Sequence, residues 1–261
     1  MVEINEKAFF SVELPDDLII PAGATVHKQA FAYSQSKRVT LSEDVSLDDE
    51  AFYYAELSEL YLSPGDTIGE KAFFSCTDLE TIASSGIQSD GSTVIDAQAF
   101  AYCEDLQTVH IPADVTRIGK EAFYYAKIKG ELTFPEGIEI ADKAFFSAEY
   151  RGALVIPQKA KVGSQAFAYG ERFEDVSIGR SAVLEDEAFY YAQNVVRVNV
   201  AEDVEIGSKA FFSCDTLEEV TIAEGATIGK QAFAYCLSLT NANVSSGASV
   251  KEDAFEYSGE D

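Results

Sequence analysis

The sequence predicts an α/β repeat solenoid of about twelve coils of 22 residues, with a parallel β-sheet along one face. Three observations predict it. An Ala-Phe pair recurs at nearly constant spacing, β-branched residues follow each pair at a fixed distance, and glycine or proline marks the corners between these segments. Repeats of this length are typical of architectures in which each coil packs only on its neighbours.

The Ala-Phe pair sets the period of the repeat. Successive alanines lie 22, 21, 21, 27 and 23 residues apart, and then 22 apart six times over. The longest interval contains SSGIQSDGS at 84–92, whose composition predicts a surface loop inserted into one coil. With no linker elsewhere, a single domain over residues 1–261 is expected. The alanines are Ala8, Ala30, Ala51, Ala72, Ala99, Ala122, Ala144, Ala166, Ala188, Ala210, Ala232 and Ala254.

Each coil is predicted to contain one main strand. Ten and twelve residues after the alanine come apolar pairs such as Val109 and Ile111, or Val198 and Val200. An interval of two between β-branched residues indicates a strand with one buried face. A second apolar segment often ends in glycine, as at Gly207, which suits a corner that needs a positive φ or a close backbone contact. The Ala-Phe segment is predicted to be irregular or a single helical turn.

The charge of the chain excludes several partners. Nineteen Lys and Arg stand against 45 Asp and Glu, so the formal net charge is −26, which repels phosphate backbones and anionic lipids. No apolar run is long enough to span a bilayer, and the start, MVEINEKAFFSVELPDD, has no signal-peptide pattern. We therefore expect no nucleic-acid partner, no membrane insertion and a soluble chain as given.

Two segments resemble a known family of repeats. IGEKAFFSCTDLETI at 68–82 and AFAYCEDLQTVHIPADVTRIGKEAF at 99–123 are similar to the BspA-like class of leucine-rich repeats. The resemblance covers essentially the whole chain. It implies a right-handed leucine-rich-repeat superhelix, and a non-enzymatic adhesion or protein-interaction module of the extracellular or cell-surface kind. The family supplies no shared catalytic residue.

The Ala-Phe segments follow a rotation of three. KAFFS, QAFAY and EAFYY alternate in this order along the chain, and only the last copy, DAFEY, departs from it. In a stack, the residue before each alanine then forms a column of Lys, Gln and Glu, so that Glu50 comes next to Lys71 and like charges do not meet. The rotation indicates design or a strong stacking constraint. An engineered repeat scaffold with no natural ligand is therefore the alternative function.

An aromatic ladder is the first candidate site. Aromatic residues two or three positions after each alanine are predicted to follow one edge of the stack, half-exposed. They are either a docking surface for a protein or a sugar chain, or a cover for the neighbouring coil, and packing is the favoured interpretation. The candidate contacts are Tyr54, Tyr102, Tyr125, Tyr169, Tyr191 and Tyr235.

The outward face of the main strands is the second candidate site. A rigid sheet presents its side chains at about 4.8 Å intervals, which suits a protein or glycan ligand. The columns on this face are small and mixed in charge, so a solvated face is equally compatible with them. The candidate partner contacts are Arg38, Tyr61, His110, Arg197 and Asn199.

The cysteines occupy matched positions of adjacent coils. Cys76 with Cys103, and Cys214 with Cys236, are spaced for a possible disulfide. Other coils have small residues at this position, such as Ala126, which favours a small apolar niche that holds a buried thiol. Both states stay open from the sequence.

Chemistry that requires converging side chains has little support. The two histidines, His27 and His110, fall on distant coils, and no phosphate-binding glycine loop follows a strand. We therefore expect no catalytic residues, no metal and no cofactor. The protein is expected to act as a monomer, with end-to-end association as the alternative.

Overall fold

A computed structural model describes residues 2–84 and 93–259. The chain divides between Pro135 and Glu136 into two compact units, here called unit 1 and unit 2. Residues 85–92 of the predicted loop at 84–92 lie outside the described residues. The single domain expected over residues 1–261 stays a prediction.

Unit 1 is a stack of coils in which a longer and a shorter strand alternate along the chain. Among its described residues, each face of the stack has six strands. They are β1 (Glu3–Ile4), β2 (Asp17–Ile20), β3 (Thr25–Val26), β4 (Arg38–Leu41), β5 (Ser46–Leu47), β6 (Glu59–Leu62), β7 (Thr67–Ile68), β8 (Thr81–Ser84), β9 (Thr93–Ile95), β10 (Leu106–His110), β11 (Val115–Ile118) and β12 (Lys127–Thr133).

Unit 2 continues the same alternation. Its described residues form five longer and six shorter strands. They are β13 (Glu139–Ile140), β14 (Glu149–Ile156), β15 (Lys161–Val162), β16 (Glu171–Ile178), β17 (Val183–Leu184), β18 (Arg197–Val200), β19 (Glu205–Ile206), β20 (Glu219–Ile222), β21 (Thr227–Ile228), β22 (Asn241–Val244) and β23 (Ser249–Val250).

Each unit has two parallel sheets. The even-numbered strands pair in sequence order and form the broad sheet, and the odd-numbered strands pair in the same way and form the narrow sheet. In the broad sheet of unit 2, Val176 lies opposite Val198, and Val198 lies opposite Val220. Residues one repeat apart are therefore neighbours, which confirms the predicted parallel-sheet solenoid with coils of about 22 residues.

A phenylalanine column forms the centre of each unit. The ring that follows each repeated alanine stacks on its counterparts, with centroids 4.7–5.4 Å apart in unit 1 and 4.8–5.3 Å apart in unit 2. Phe123 and Phe189 are fully buried, together with the alanines that precede them. Inward-facing residues of both sheets, such as Val198 and Ile206, complete the core.

The Ala-Phe segment is a turn that bonds to its neighbour, and the helical part of the predicted α/β class is wrong for the described residues. The residue before the alanine and the third residue after it are both left-handed, as in Lys209 (φ 55°) and Ser213 (φ 52°). The N–H of Phe211 donates to the carbonyl of Ala232 in the next coil at 2.7 Å, and the N–H of Ser213 donates to Ala234 at 2.9 Å. Because these donors bond between coils, they are not used within a helix.

The glycine corners serve close backbone approach. A Cβ added to Gly69 would lie 2.6 Å from the carbonyl oxygen of Leu47 in the preceding coil, and one added to Gly229 would lie 2.7 Å from the carbonyl carbon of Gly207. Neither Gly69 nor Gly229 has a positive φ. Of the two reasons that the sequence allows for these glycines, the structure therefore supports close contact between coils.

The four cysteines are buried free thiols. In each case the S–H group donates to the carbonyl of the phenylalanine in the preceding coil, as from Cys103 to Phe73 at 3.5 Å and from Cys236 to Phe211 at 3.2 Å. Since both members of a pair point towards the preceding coil, their sulfurs do not point at each other. Burial raises the pKa of Cys103 and of Cys236 to about 12.

These thiols are expected to be inert in the folded protein. Thiolate, the reactive species, is scarce when the pKa is far above the solution pH. At pH 8, a chromogenic disulfide reagent should label none of the four cysteines until denaturant is added, and then all of them. Cys103→Ser should change the free energy of unfolding by only about 1 kcal/mol, because Ser34 already occupies the same repeat position. Rapid labelling of the native chain would contradict this expectation.

Candidate interaction surfaces

Arg38 is held by its neighbours on the broad sheet of unit 1. Its guanidinium group contacts Asp17 at 2.7 Å through Nη1 and Glu59 at 2.7 Å through Nε. The Tyr61 hydroxyl donates to Glu59 at 3.2 Å, and the Arg38 guanidinium lies 5.9 Å from the centre of the Tyr61 ring. The hydrogen bond from Arg38 lowers the pKa of Glu59. The structure thus brings two candidate contacts, Arg38 and Tyr61, into one internally paired cluster.

Arg197 occupies the equivalent position in unit 2. Its Nη2 contacts Asp175 at 2.9 Å, and Glu219 lies opposite it on the next strand. The order Asp, Arg, Glu therefore recurs at one strand position of both units. Asn199, two residues further along β18, is exposed, and its register partners are Ser177 and Thr221. This part of the sheet offers small polar side chains around one paired arginine.

His110 ends β10 in unit 1 and is exposed. Its Nε2 lies 3.2 Å from a carboxylate oxygen of Glu131. Within residues 2–84 and 93–259, no group of three or more His, Cys, Asp or Glu side chains is placed to hold a metal ion. His110 therefore belongs to a two-residue contact on an open face.

The aromatic ladder of unit 1 is a continuous row of rings. Tyr33 and Tyr54 stack at 5.5 Å with planes 13° apart, and Tyr102 and Tyr125 stack at 5.7 Å with planes 7° apart. Phe74 contacts both Tyr54, at 6.1 Å, and Tyr102, at 5.2 Å, so it joins the two pairs. The candidate tyrosines Tyr54, Tyr102 and Tyr125 are 43%, 37% and 45% exposed.

The ladder of unit 2 repeats this arrangement. Tyr169 and Tyr191 stack at 5.7 Å with planes 8° apart, and Phe212 joins Tyr191, at 6.1 Å, to Tyr235, at 5.0 Å. Burial, and after it the neighbouring Tyr191, raises the pKa of Tyr190. Within the stacked pair the two rings cover one face of each other, and the candidate tyrosines Tyr169, Tyr191 and Tyr235 are still 41%, 41% and 39% exposed.

The rotation of three places complementary groups side by side. The amide of Gln29 donates to Glu50 at 2.6 Å, and the amide of Gln165 donates to Glu187 at 2.5 Å. The predicted neighbour Lys71 forms its direct ion pair with Glu70 at 3.0 Å. That hydrogen bond, and then the charges of Glu70 and Glu50, raise the pKa of Lys71. The rotation thus produces Gln–Glu hydrogen bonds between coils.

In unit 2, the rotation also places a lysine above a ladder ring. The ammonium nitrogen of Lys143 lies 5.6 Å from the centre of the Phe146 ring, and that of Lys209 lies 5.6 Å from the centre of the Phe212 ring. These distances are typical of cation–π contacts. Every KAFFS coil of unit 2 therefore covers its ladder phenylalanine with a positive charge of its own.

A pocket of about 270 Å³ lies beside Tyr191. The sequence predicted Tyr191 as a candidate contact but did not predict this pocket. Ser213 occupies the ladder position of the next coil, where a tyrosine would have covered the second face of the Tyr191 ring. The signal was in the sequence, because KAFFS has serine where QAFAY and EAFYY have tyrosine. The pocket is lined by Tyr191, Ala192, Gln193, Asn194, Ser213, Asp215 and Thr216.

The chain belongs to the BspA type leucine-rich repeat family. Six copies of the repeat region match, over residues 1–89, 67–196 and 138–260. The resemblance stated from the sequence is therefore confirmed. A comparison with curated proteins finds no match to the sequence. Within the described residues, no helix is both long and apolar enough to cross a membrane.

The chain is similar to several solved structures. A leucine-rich repeat protein from Bacteroides ovatus is 21% identical over 98% of this chain and 80% of its own, with a TM-score of 0.58. A leucine rich cell surface protein from Faecalibacterium prausnitzii is 19% identical over 92% of this chain and 79% of its own, with a TM-score of 0.46. The pneumococcal vaccine antigen PcpA is 18% identical over 97% and 75%, with a TM-score of 0.48. The first likeness supports the solenoid fold.

Proposed function

We propose that the protein is a non-enzymatic protein-interaction module that acts in adhesion at a cell surface. The observation that carries the proposal is the exposed aromatic ladder on a rigid stack of coils. Its candidate tyrosines are 37–45% exposed, whereas phenylalanines of the central column, such as Phe123 and Phe189, are buried. Aromatic side chains that are fixed by their neighbours lose little conformational freedom on binding, which makes such a row a good contact surface.

Further parts of this proposal come from the sequence. We include in the proposal a right-handed coil, one domain over residues 1–261 and a monomeric chain. Membership of the BspA type leucine-rich repeat family supports a location outside the cell. The net charge of −26 supports a protein partner over a nucleic acid. A glycan stays the second possible class of ligand.

The rotation of three favours a second candidate function, an engineered repeat scaffold with no natural ligand. Gln–Glu hydrogen bonds at 2.5 and 2.6 Å give the rotation a role in joining coils. A scaffold would carry such pairs for stability alone. A survey of natural genes separates the two candidates, because a natural gene that encodes the same rotation would remove the scaffold.

Binding arrays test the proposed function. Fluorescently labelled protein should bind at least one extracellular matrix or cell-surface protein on an array, with saturation at micromolar or lower concentration in physiological salt. A folded protein of matched size and negative charge is the control, since it reports binding due to charge alone. If the chain binds nothing beyond this control on protein and glycan arrays, the proposed function is wrong.

A further inference from the structure

Among the described residues of unit 2, the rotation of three leaves one face of the Tyr191 ring without a stacked partner, and the ring of Phe212 meets Tyr191 at 6.1 Å with a tilt of 47°. One face of Tyr191 is covered by Tyr169, whose ring is stacked at 5.7 Å. On the other side, the ladder position of the next coil is Ser213, and the pocket of about 270 Å³ lies there. Tyr191 is 41% exposed. The pocket therefore has an aromatic wall that a flat group can stack on.

The polar groups around this pocket offer hydrogen-bond acceptors. The Asp215 carboxylate is exposed, and among the described residues it has no hydrogen-bond or ion-pair partner. Gln193 and Asn194 also line the pocket, and each side-chain amide has an oxygen that can accept a hydrogen bond. The Thr216 hydroxyl donates to the carbonyl of Val195 at 2.9 Å, so its oxygen can only accept from a ligand. No lysine or arginine lines the pocket.

Two other ring faces in the ladder of unit 2, those of Phe146 and Phe212, are covered by lysine ammonium groups. Where a KAFFS coil exposes the face of Phe212, the ammonium group of Lys209 covers it at 5.6 Å, and Lys143 covers Phe146 at the same distance. Among the described residues, Tyr191 has one stacked partner, Tyr169, and no cation lies over its ring. Its open face and the unpaired Asp215 together match a positively charged group from outside the chain.

We propose that the Tyr191 pocket binds the guanidinium group of an arginine side chain that projects from a partner protein. This inference rests on the proposed function and names the chemistry of its partner. A guanidinium group is planar, so it stacks on Tyr191 while its fork of N–H donors reaches Asp215. The compact, strongly hydrated ammonium of lysine matches this arrangement less well. The net charge of −26 attracts a basic partner over a long range.

A peptide probe tests the inference on the full-length chain. The probe is a flexible Gly-Ser peptide with two arginines, and the comparison peptides carry lysine, or citrulline, which has nearly the shape of arginine but no charge. The chain has no tryptophan, and eleven of its thirteen tyrosines belong to the ladder, so tyrosine fluorescence comes mainly from the ladder. At 150 mM NaCl, the arginine peptide should bind more tightly than the lysine peptide, and the citrulline peptide should bind at least tenfold more weakly.

Three variants examine the pocket itself. Tyr191→Ser and Asp215→Asn should each weaken binding of the arginine peptide by about threefold to tenfold. Tyr191→Phe should keep the affinity, because it keeps the ring face. Serine is compatible with the left-handed backbone at this position, since Ser213 has φ 52° at the same repeat position. Circular dichroism of each variant verifies that the fold is retained.

The outcomes separate this inference from the proposed function. The inference is overturned if Tyr191→Ser binds the arginine peptide as well as the unchanged chain, or if the peptide does not bind at all. Asp203→Asn, at an exposed corner of unit 2 outside the pocket lining, is the matched control for the charge change in Asp215→Asn and should not weaken peptide binding. If the array partner is lost in Arg197→Ala, on the broad sheet, but kept in Tyr191→Ser, the protein-binding function stands and the pocket is not the site.

Discussion

Replacing Phe189 with alanine is expected to lower the free energy of unfolding by about 3–5 kcal/mol. The Phe189 ring is fully buried, stacked 4.9 Å from Phe167 and 4.8 Å from Phe211, with the edge of Phe173 at 6.1 Å. The cavity would lie in the middle of the column, and the backbones of Phe167 and Phe211 are held by hydrogen bonds to their adjoining coils, so the neighbouring rings cannot move far to fill it. The loss should appear in denaturant unfolding followed by far-ultraviolet circular dichroism.

A second phenylalanine of unit 2 provides the matched control. Phe255 is half-buried, and its stacking contact is with Phe233 at 5.3 Å. Phe255→Ala removes the same atoms but leaves a site that solvent already reaches, so about half the loss is expected. Equal losses for the two variants would mean that stacking within the column does not set the stability.

The stability of unit 1 is expected to fall as the pH rises from 4 to 7, because of Asp66. Its carboxylate is buried and accepts hydrogen bonds from the backbone N–H groups of Ser63, at 2.7 Å, and Val45, at 3.0 Å. Burial, and after it the nearby charges of Asp114 and Asp44, outweigh these two hydrogen bonds and raise the pKa of Asp66 from 3.8 to about 7. The folded state therefore holds a proton over a pH range in which the unfolded state has lost it.

The sign of this effect follows from the two pKa values. The stabilising contribution is complete below pH 3.8, is lost as the pH rises towards 7, and stays absent above it. Relative to Asp66→Asn, the free energy of unfolding of the unchanged chain should fall by about 3 kcal/mol between pH 4 and pH 8. Chemical denaturation at several pH values measures this difference.

An exposed aspartate supplies the control for this experiment. Asp203 lies at a corner of unit 2 and is exposed, so Asp203→Asn changes the net charge by the same amount as Asp66→Asn. The pH dependence that disappears in Asp66→Asn should remain in Asp203→Asn. A stability difference between the unchanged chain and Asp66→Asn that is constant with pH would show that Asp66 does not bind the proton.

The sheets were predictable because their register follows from counting. Residues one repeat apart meet, so Asp17, Arg38 and Glu59 could be placed on neighbouring strands from the sequence alone. The conformation of the Ala-Phe segment was not predictable in this way. Lysine, serine and tyrosine do not favour a left-handed backbone, and here hydrogen bonds to the next coil impose it, as at Tyr235 (φ 59°).

The candidate sites were predictable in position but not in chemistry. The sequence places Arg38 and Arg197 on an outward face, yet only coordinates show that their guanidinium groups are already bound to Asp17 and Asp175. The ladder tyrosines lie where the pattern put them. Which ring faces remain open depends on the next coil, and the Tyr191 pocket exists because Ser213 is small.

The pattern of backbone hydrogen bonds determines how many coils must form before the protein can fold. The sheets and the Ala-Phe turns are joined by hydrogen bonds between residues about one repeat apart, such as Phe189 to Ala210, whereas bonds within a coil are short turns such as Ala192 to Phe189. An isolated coil has no neighbouring coil to form these hydrogen bonds with. Its few internal contacts therefore do not offset the conformational entropy that the chain loses on ordering. Folding must therefore begin from two adjoining coils formed together, and each later coil is added to an existing template. A nascent chain can start this process only after some 44 residues, about two repeats, have left the ribosome.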